Sequence, residues 1–583
     1  MRDIVVFIGD CAPLSFFQTV RQIVISRVDP HAFAPQTSRF SMLENTSTVE
    51  PSIAPGSLPA IDPQTLSELL STFASVTSGL VDLIDQDRFA SHVPTWIGDR
   101  SQEPQDISSA VNYLVLAIGA QTGAQDLAAQ YFHHAKALAL ASLDGNLGIG
   151  TVQAFALITL YMLRACQING AFLFFGIAAR AAYSIGAHRA EVNSRFESEL
   201  CTQSQIRNRM WKSLRILDLF LSVSQGRPPA TSDMDCTVPY KTIDAEGHEV
   251  FDLLDASGQI FLITERVVLE VYSRRKITLQ LTEGISRELR DWSARWLAPL
   301  KSIVSTTSNQ ENGAEVAGAC HVLSSYYYCV ILVSRPFLVY ELYRRVPEDM
   351  GRLGDSRTET NTGRCKLANA CIDAACLMSE SVLDLVERGA LDRRSPLLVS
   401  WLFASTLVIG VGLLGGFGRI LDRYVRMAIS ALEFFAEEDT HAMQYSFIAK
   451  SLLSSAQQYL ETKEARERIR ITEGSSQLFG LIPKDETSFN ASMPSDALNG
   501  LRTAAGPSDG NCPSSLASAS RIVESPFADI DSSIFPLYDP LAIHPGFSPL
   551  AANPQDQVDH VFGTLNLFPL LEGNGHIDLA HYL

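Results

Sequence analysis

The feature that most constrains this fold is a helical period in the apolar residues, which persists from about Pro63 to Leu460. Apolar residues that recur every three or four positions form one stripe on a helix, and that stripe must be buried against other helices. The gaps between periodic segments are short, which favours antiparallel helical hairpins. No series of alternating apolar and polar residues with turn signals is present. We therefore predict an all-α fold, a large multi-helix domain of packed antiparallel helical hairpins.

The periodic segments also predict individual helices. Asp106 is placed to cap a helix that runs through Ile118, because its carboxylate can accept from the free N–H groups of the first turn. His188 and Arg189 are predicted to end a helix, where positive charge suits the dipole. The further predicted helices cover Ala124–Leu140, Thr151–Ala165, Ala171–His188 and Ile206–Ser222.

Composition divides the chain into three parts. Residues 1–62 are a linker-like N-terminal segment, with a helix-like stretch at Leu14–Val24 and then many Pro, Ser and Thr residues. Residues 63–465 form the predicted helical domain. Residues 466–583 are predicted to be a disordered acidic tail, since from 471 onward 13 Asp and Glu oppose 3 Lys and Arg. Within the tail, Ile534–Asp539 and Leu565–Glu572 have the composition of activation segments, or are chance hydrophobic clumps.

Charge and cysteine usage narrow the function classes. The net charge is −18 and no long Lys/Arg run occurs, which argues against an autonomous nucleic-acid binder, because phosphate binding needs clustered cations. The ten cysteines include no C-x-x-C pair. They fit a reducing compartment, and Cys365, Cys371 and Cys376 are interpreted as small helix residues rather than a metal site. The sequence has no nucleophile elbow, phosphate loop or His-Glu-x-x-His motif, so no catalytic, cofactor-binding or metal residue is predicted.

An uncharged run from Leu397 to Gly418 permits three interpretations. It is long enough to span a bilayer, and Gly410, Gly412 and Gly415 have the spacing of a dinucleotide-binding fingerprint. A nucleotide fold would need further strand–helix units, which the following sequence does not supply. We favour a central buried helix whose glycines let neighbouring helices approach closely.

Ile206–Ser222 is the most informative segment. Its apolar residues form one stripe, so it is predicted to be an amphipathic helix with Trp211 and Asp218 on the flank of that stripe. Gly226 is placed to end the helix in the left-handed conformation. The following Arg227-Pro228-Pro229 forces an extended exit, and an acidic stretch then leads to Pro239.

This segment resembles the signature of the fungal-specific transcription factor domain, the middle homology region of fungal zinc-cluster regulators. Shorter stretches of the chain resemble the same family, namely Gly9–Phe16, Thr151–Ala154, Gly176–Arg189 and Ser334–Leu338. The residues of this sequence that carry the signature are Arg209, Trp211, Asp218, Gly226, Arg227, Pro228, Asp233, Asp235 and Pro239.

The resemblance implies a nuclear regulator of RNA polymerase II genes of metabolism. In that family a cluster of six cysteines holds zinc and reads DNA, but only Cys11 precedes Cys166 here. Zinc and DNA binding are therefore expected only through a module not present in this sequence. The expected partners are a second copy in a homodimer, the transcription machinery through the acidic tail, and a small-molecule effector, with no membrane. The alternative is a clusterless binding module that partners or inhibits full-length regulators without binding DNA.

The signature residues are predicted to have architectural roles. Asp218 is expected either in a buried network with Arg209 or Arg227 that fixes the helix end, or in a surface pair with Arg215.

Overall fold

The computed structural model describes residues 7–33, 59, 63–99, 106–145, 147–196, 201–244, 246–306, 312–346, 363–479 and 577–578. Within these ranges the chain forms sixteen α-helices, which confirms the all-α prediction. They are α1 (Pro13–Arg27), α2 (Pro63–Thr77), α3 (Gln86–Asp99), α4 (Ile107–Ala120), α5 (Gln125–Ala141), α6 (Ile149–Arg164), α7 (Ile168–Ser184), α8 (Ala190–Asn193), α9 (Cys201–Gln225), α10 (Leu253–Val267), α11 (Leu279–Ser305), α12 (Gly313–Arg345), α13 (Gly363–Glu387), α14 (Pro396–Leu414), α15 (Leu421–Ala436) and α16 (Thr440–Phe479).

Shorter elements complete the described chain. Two 3-10 turns cover Ser142–Asp144 and Ser194–Phe196, and a π-helical turn, Val268–Tyr272, follows α10. Two-residue strands, β1 (Lys276–Ile277) and β2 (Ile577–Asp578), pair antiparallel with Lys276 opposite Asp578.

Consecutive helices that are joined by short connections pack against each other as predicted, in the pairs α4–α5, α6–α7 and α15–α16. Helices α12 and α13 also have extensive contacts, although a longer connection joins them. Asp106 caps α4 as predicted, with Oδ1 accepting from the N–H groups of Ser108 and Ser109 at 3.0 Å each. Cys365, Cys371 and Cys376 all lie buried on α13, which confirms their interpretation as small helix residues.

Helix α14 lies at the centre of the described helical body, against α1, α12, α13, α15 and α16. Its glycines mark close packing, because a Cβ added at Gly410 would lie 2.5 Å from Leu452 Cδ2 and one at Gly412 would lie 3.0 Å from Ile372 Cδ1. A continuous helix runs through Gly410 and Gly412, so the dinucleotide-binding interpretation is wrong. Both α12 and α14 are long and apolar enough to cross a membrane, but 89% and 94% of their most apolar windows are buried inside the protein.

Two predicted boundaries differ from the structure. The helix-like stretch predicted at Leu14–Val24 is part of α1, which packs on α14 with Phe16 and Phe17 buried. Helix α7 ends at Ser184 rather than at His188, since Gly186 takes a φ of +70° that ends the helical path. The predicted tail starts too early, because α16 continues to Phe479, largely exposed beyond Leu460. The segments Ile534–Asp539 and Leu565–Glu572 lie outside the described residues.

His321 is a buried residue of α12 that contacts the ends of α2 and α14. Its Nδ1 lies 3.2 Å from the carbonyl oxygen of Ser78, after α2, and its Nε2 lies 3.2 Å from the hydroxyl of Ser395, which precedes α14. A carbonyl oxygen can only accept, so Nδ1 carries the proton and Nε2 accepts from Ser395 in the neutral imidazole. Burial lowers the pKa of His321 to about 4.

The lowered pKa predicts a pH-dependent stability. The unfolded chain binds a proton at His321 below about pH 6.5, whereas the folded chain does so only near pH 4. His321 therefore contributes stability that is complete above pH 6.5 and is lost as the pH falls toward 4. The difference in unfolding free energy between wild type and His321→Gln should rise by up to about 3 kcal/mol from pH 4 to pH 7.

Urea unfolding of both proteins at a series of pH values measures this difference. The carboxylates common to both proteins contribute equally to the two unfolding free energies, so their titration cancels in the difference. His92→Gln, at an exposed position on α3, should leave the wild-type profile unchanged. Parallel profiles for wild type and His321→Gln would contradict the prediction.

A candidate functional site around helix α9

Helix α9 is buried on all sides over its second half. Every residue from Met210 to Gln225 is buried, including Lys212, Arg215 and Asp218. The predicted apolar stripe is present, and the polar face opposite it is buried as well. Removing charges from water costs several kcal/mol per ion unless partners and hydrogen bonds compensate. The structure supplies those partners from the segments that pack over the polar face.

Arg215 is the centre of the buried polar face, with a side chain 1% exposed. Its Nη1 donates to the carbonyl and hydroxyl oxygens of Thr231, at 2.9 Å each. Its guanidinium also reaches Glu265 Oε2 on α10 at 2.6 Å and Asp233 Oδ1 at 3.1 Å. Burial lowers the pKa of Arg215, but the two carboxylates outweigh burial and raise the pKa overall. The buried cation is thereby neutralised and held in one position.

Asp218 holds the next part of the chain against the same face. Its carboxylate accepts from the N–H of Ala230 at 3.0 Å, and from the N–H and hydroxyl of Thr231 at 2.6 and 2.5 Å. Because the Thr231 hydroxyl donates to Asp218, it accepts from Arg215 and links the two charges. Burial raises the pKa of Asp218 more than these hydrogen bonds lower it. The predicted buried network exists, and the surface pair with Arg215 does not.

The partners proposed for Asp218 are wrong, because Arg209 and Arg227 bind elsewhere. Arg209 donates to Asp82 Oδ2 at 2.5 Å and to Asp252 Oδ2 at 2.6 Å. Asp252 also caps α10 through its other oxygen. Burial raises the pKa of Asp252, but Arg209 and the capping N–H groups outweigh burial and lower it. Arg209 thus joins α9 to the start of α10 and to the turn after α2.

Two other signature residues, Trp211 and Asp235, differ in their burial. Trp211 is fully buried, with its ring 5.4 Å from Tyr183 and 5.6 Å from His188 between centroids. Asp235 is 66% exposed and pairs with Arg189, with His188 Nε2 at 3.8 Å. The exposed residues of the connection that follows α9 include Pro228, Met234 and Pro239. We call this connection, Gly226–Tyr240, the exit loop.

Gly226 ends α9 as predicted, with a left-handed φ of +66°. It also contacts Gly9 backbone to backbone, since a Cβ on Gly226 would lie 2.4 Å from Gly9 Cα. The N–H of Gly9 donates to the carbonyl oxygen of Gln225 at 2.9 Å. Arg227 donates to the carbonyl oxygen of Phe7 at 3.2 Å and to Asn169 Oδ1 at 2.7 Å. The N-terminal segment therefore packs against the C-terminal end of α9.

A second buried arginine holds the same N-terminal segment from the opposite side. Arg335 on α12 is 1% exposed, and its Nη2 donates to the carbonyl oxygens of Asp10 and Cys11 at 3.2 and 3.4 Å. Its guanidinium carbon lies 4.9 Å from the ring centroids of both Phe16 and Tyr272. Three segments that resemble the family, near residues 9, 226 and 335, therefore meet in one place. Order along the chain gives no sign of this convergence.

Several residues of the network were not predicted from the sequence. They are the partners of the buried cations, namely Asp82, Thr231, Asp255, which pairs with Lys212, and Glu265. Isolated acidic residues in loops and on other helices carry no spacing signal. The sequence analysis also missed a cluster of three polar side chains. The atoms of Cys166, Asp439 and His441 that could bind a metal ion lie within 4.8 Å of one another. Asp439 has a structural role there, accepting from the N–H of Ala442 at the start of α16.

The Gly9–Gly226 contact predicts that Gly226→Ala is strongly destabilising. Alanine at a left-handed position costs about 1 to 2 kcal/mol. The clash with the Gly9 backbone should add at least about 1 kcal/mol. The matched control is Gly247→Ala, at φ +88° with no atom within 4 Å of an added Cβ. Urea unfolding should show the larger loss for Gly226→Ala, and equal losses would show that the contact contributes nothing.

Asp218→Ala should lower the unfolding free energy by about 2 to 4 kcal/mol, because it strands the buried N–H and hydroxyl of Thr231 and removes a charge near Arg215. Asp235→Ala is the control within the same signature, and its exposed pair should be worth less than about 1 kcal/mol. Thermal melts of both variants test this, and an unchanged melting temperature for Asp218→Ala would refute the assigned role.

Comparison with known proteins places this network within a described domain. Residues 70–293 match the model of the fungal specific transcription factor domain. An uncharacterized transcriptional regulatory protein of Schizosaccharomyces pombe is 24% identical over 49% of this chain and 35% of its own length. Filamentous growth regulator 27 of Candida albicans is 22% identical over 58% of this chain and 45% of its own length.

A shorter match with a higher identity is the acetamidase regulatory protein of Aspergillus fumigatus, 35% identical over 21% of this chain and 16% of its own length. The chain thus spans less than half the length of each of these three relatives. No solved structure matches the chain. Helix α9, Glu265 and most of the residues that hold the exit loop lie inside the matched range. Over residues 70–293 the chain is therefore similar to proteins that carry the fungal specific transcription factor domain.

Proposed function

We propose that this chain is the regulatory body of a fungal transcription regulator, which acts in the nucleus on RNA polymerase II genes of metabolism. The observation that carries the proposal is the match of residues 70–293 to the fungal specific transcription factor domain. The relatives that match are named as regulators, which supports the same class. In this proposal DNA and zinc binding belong to a six-cysteine cluster that the present sequence does not contain.

The geometry around α9 suggests how such a body works. The exit loop is fixed at its base by Asp218 and Arg215, while its tip is open, with Met234 98% exposed and Asp235 66% exposed. A loop with a rigid base is suited to contact another protein, because little conformational freedom is lost on binding. In this proposal the body presents the loop, and the acidic C-terminal part recruits the transcription machinery. The homodimer stays a prediction.

A reporter assay in yeast tests the proposal. The chain 1–583 is fused to a heterologous DNA-binding module that does not activate by itself, and the fusion should raise reporter expression well above that module alone. A second fusion stops at Phe479, the end of α16. It should retain the helical body and return expression to the level of the module alone.

Immunoblotting must show that both fusions accumulate equally. The proposal is contradicted if the 1–583 fusion leaves the reporter at the level of the module alone. Equal activation by both fusions would instead place the activating residues in the helical body and refute the role of the tail.

A further inference from the structure

Three side chains that can bind a metal ion converge where two helix-to-helix turns meet. Cys166 lies in the turn between α6 and α7, and Asp439 and His441 flank the first residue of α16. The thiol sulfur, one carboxylate oxygen and one imidazole nitrogen lie within 4.8 Å of one another. Cys166 and Asp439 are buried and His441 is half-buried. No spacing motif signals this cluster, because its members come from opposite halves of the chain.

The separation of the three donor atoms suits a tetrahedral metal ion. Zinc binds thiolate sulfur at about 2.3 Å and imidazole nitrogen or carboxylate oxygen at about 2.0 to 2.2 Å. Tetrahedral angles then place the ligand atoms about 3.3 to 3.6 Å apart. Side-chain rotations that move the donor atoms by at most about 1.5 Å would bring the observed atoms to these separations.

Asp439 is a buried carboxylate whose charge calls for a partner. Its Oδ1 accepts from the N–H of Ala442 at 2.9 Å. Among the described residues no Lys or Arg forms an ion pair with Asp439, and the neighbouring Arg394 pairs with Glu438 at 3.0 Å instead. Buried charges in proteins are usually paired or coordinate a metal ion. A cation held between Asp439 and the two other donors would supply this compensation.

Cys166 stands at a backbone position where glycine is the usual residue. Its φ of +58° is left-handed, and it ends α6. The N–H of Cys166 donates to the carbonyl oxygen of Leu163 at 3.1 Å, and that of Gln167 donates to Met162 at 2.8 Å. Glycine adopts this helix ending without strain. Helix termination alone would therefore favour glycine, whereas the chain has a thiol that faces two further metal-binding groups.

A small cavity beside Asp439 and His441 offers room for a fourth ligand. Its volume is about 30 Å³, enough for one water molecule. Its walls also include Ser224 and Gln225 at the end of α9. Three protein ligands and one water molecule form a tetrahedral zinc site with one exchangeable position.

The donor set selects zinc among the common divalent cations. Magnesium and calcium prefer oxygen ligands, whereas thiolate and imidazole favour zinc. An ionised Cys166 and Asp439 carry two negative charges, which Zn²⁺ cancels, and the imidazole of His441 binds in its neutral form. The resulting site has no net charge, which suits its buried position.

We propose that Cys166, Asp439 and His441 form a zinc site that joins the turn between α6 and α7 to the start of α16. The site is separate from the six-cysteine cluster of the proposed function and does not rest on that function. It is therefore tested on the purified chain, and its failure leaves the reporter result unaffected.

Cobalt(II) is a spectroscopic probe for this site. The chain 1–583, stripped of metal with a chelator, is titrated with Co²⁺. A cysteine ligand gives a thiolate-to-cobalt charge-transfer band in the near ultraviolet, which should saturate at one Co²⁺ per chain and disappear when Zn²⁺ displaces the cobalt. The exposed group Asp244, Glu246 and His248 could also bind a metal ion, but it contains no cysteine and cannot give this band.

Cys166→Gly separates metal binding from folding, because glycine fits the left-handed backbone without strain. This variant should keep the helicity of wild type, measured by circular dichroism, and lose the charge-transfer band. Cys376→Ala is the matched control, at a buried cysteine of α13 outside the cluster, and should keep the band unchanged. If Cys166→Gly fails to fold, Cys166→Ser must lose the band.

The two other ligands are tested by Zn²⁺ affinity, measured in competition with a chromogenic chelator. Asp439→Asn keeps an oxygen that can accept from Ala442 but removes the charge, and His441→Ala removes the imidazole. Loss of a residue that only orients a zinc ligand weakens binding by about 10- to 100-fold. Each of these two variants should therefore weaken Zn²⁺ binding at least about tenfold.

Three results would overturn the proposal. They are the absence of the charge-transfer band in wild type, a band that persists at full strength in the Cys166 variant, and Zn²⁺ affinity that is unchanged in both Asp439→Asn and His441→Ala. Cobalt binding without the charge-transfer band counts as the first of these results, because it assigns the metal to ligands other than cysteine.

Discussion

The structure depends on one constraint, which is that charged residues of α9 are buried and must be neutralised inside the protein. Arg215 and Lys212 lie in the interior with side chains 1% and 5% exposed. Removing a single partner from such a group leaves a buried charge uncompensated, at a cost of about 3 to 5 kcal/mol. The chain must therefore bring Glu265, Asp255 and the exit loop to this helix, and their positions follow from its electrostatic requirement.

The exit loop connects this network to two distant segments, near Gly9 and Arg335, that also resemble the family. The exit loop is held by Asp218, its first residue Gly226 packs on Gly9, and the carbonyl groups after Gly9 are held by Arg335. These contacts follow one another from α9 to the N-terminal segment and then to α12. Small residues occur where backbones touch, and arginine occurs where buried carbonyl oxygens converge, since its planar guanidinium donates several hydrogen bonds at once.

Periodicity predicted the helices well, because burial of one stripe is a local property of a helix. The left-handed Gly226 and the central glycine-bearing α14 were also predictable, since glycine and proline act on the backbone of their own segment. The partners of Arg215 and Asp218 were not. Burial of the second side of α9 depends on which segments fold over it, and that is a tertiary property with no period in the sequence. The choice of Arg209 and Arg227 as partners of Asp218 failed for this reason.

Native-state hydrogen exchange at the exit loop tests the central claim most directly. The N–H groups of Ala230 and Thr231 donate to Asp218, and that of Gly9 donates to Gln225. If the buried charges of α9 hold these segments, their amides should exchange with opening free energies close to those of α9 itself. The amide of Val250, bonded to Thr242 in an exposed part of the chain, should exchange by easier local opening. The account would be contradicted if the opening free energies of all three amides were several kcal/mol lower than those of α9 while the amides of α9 stayed protected.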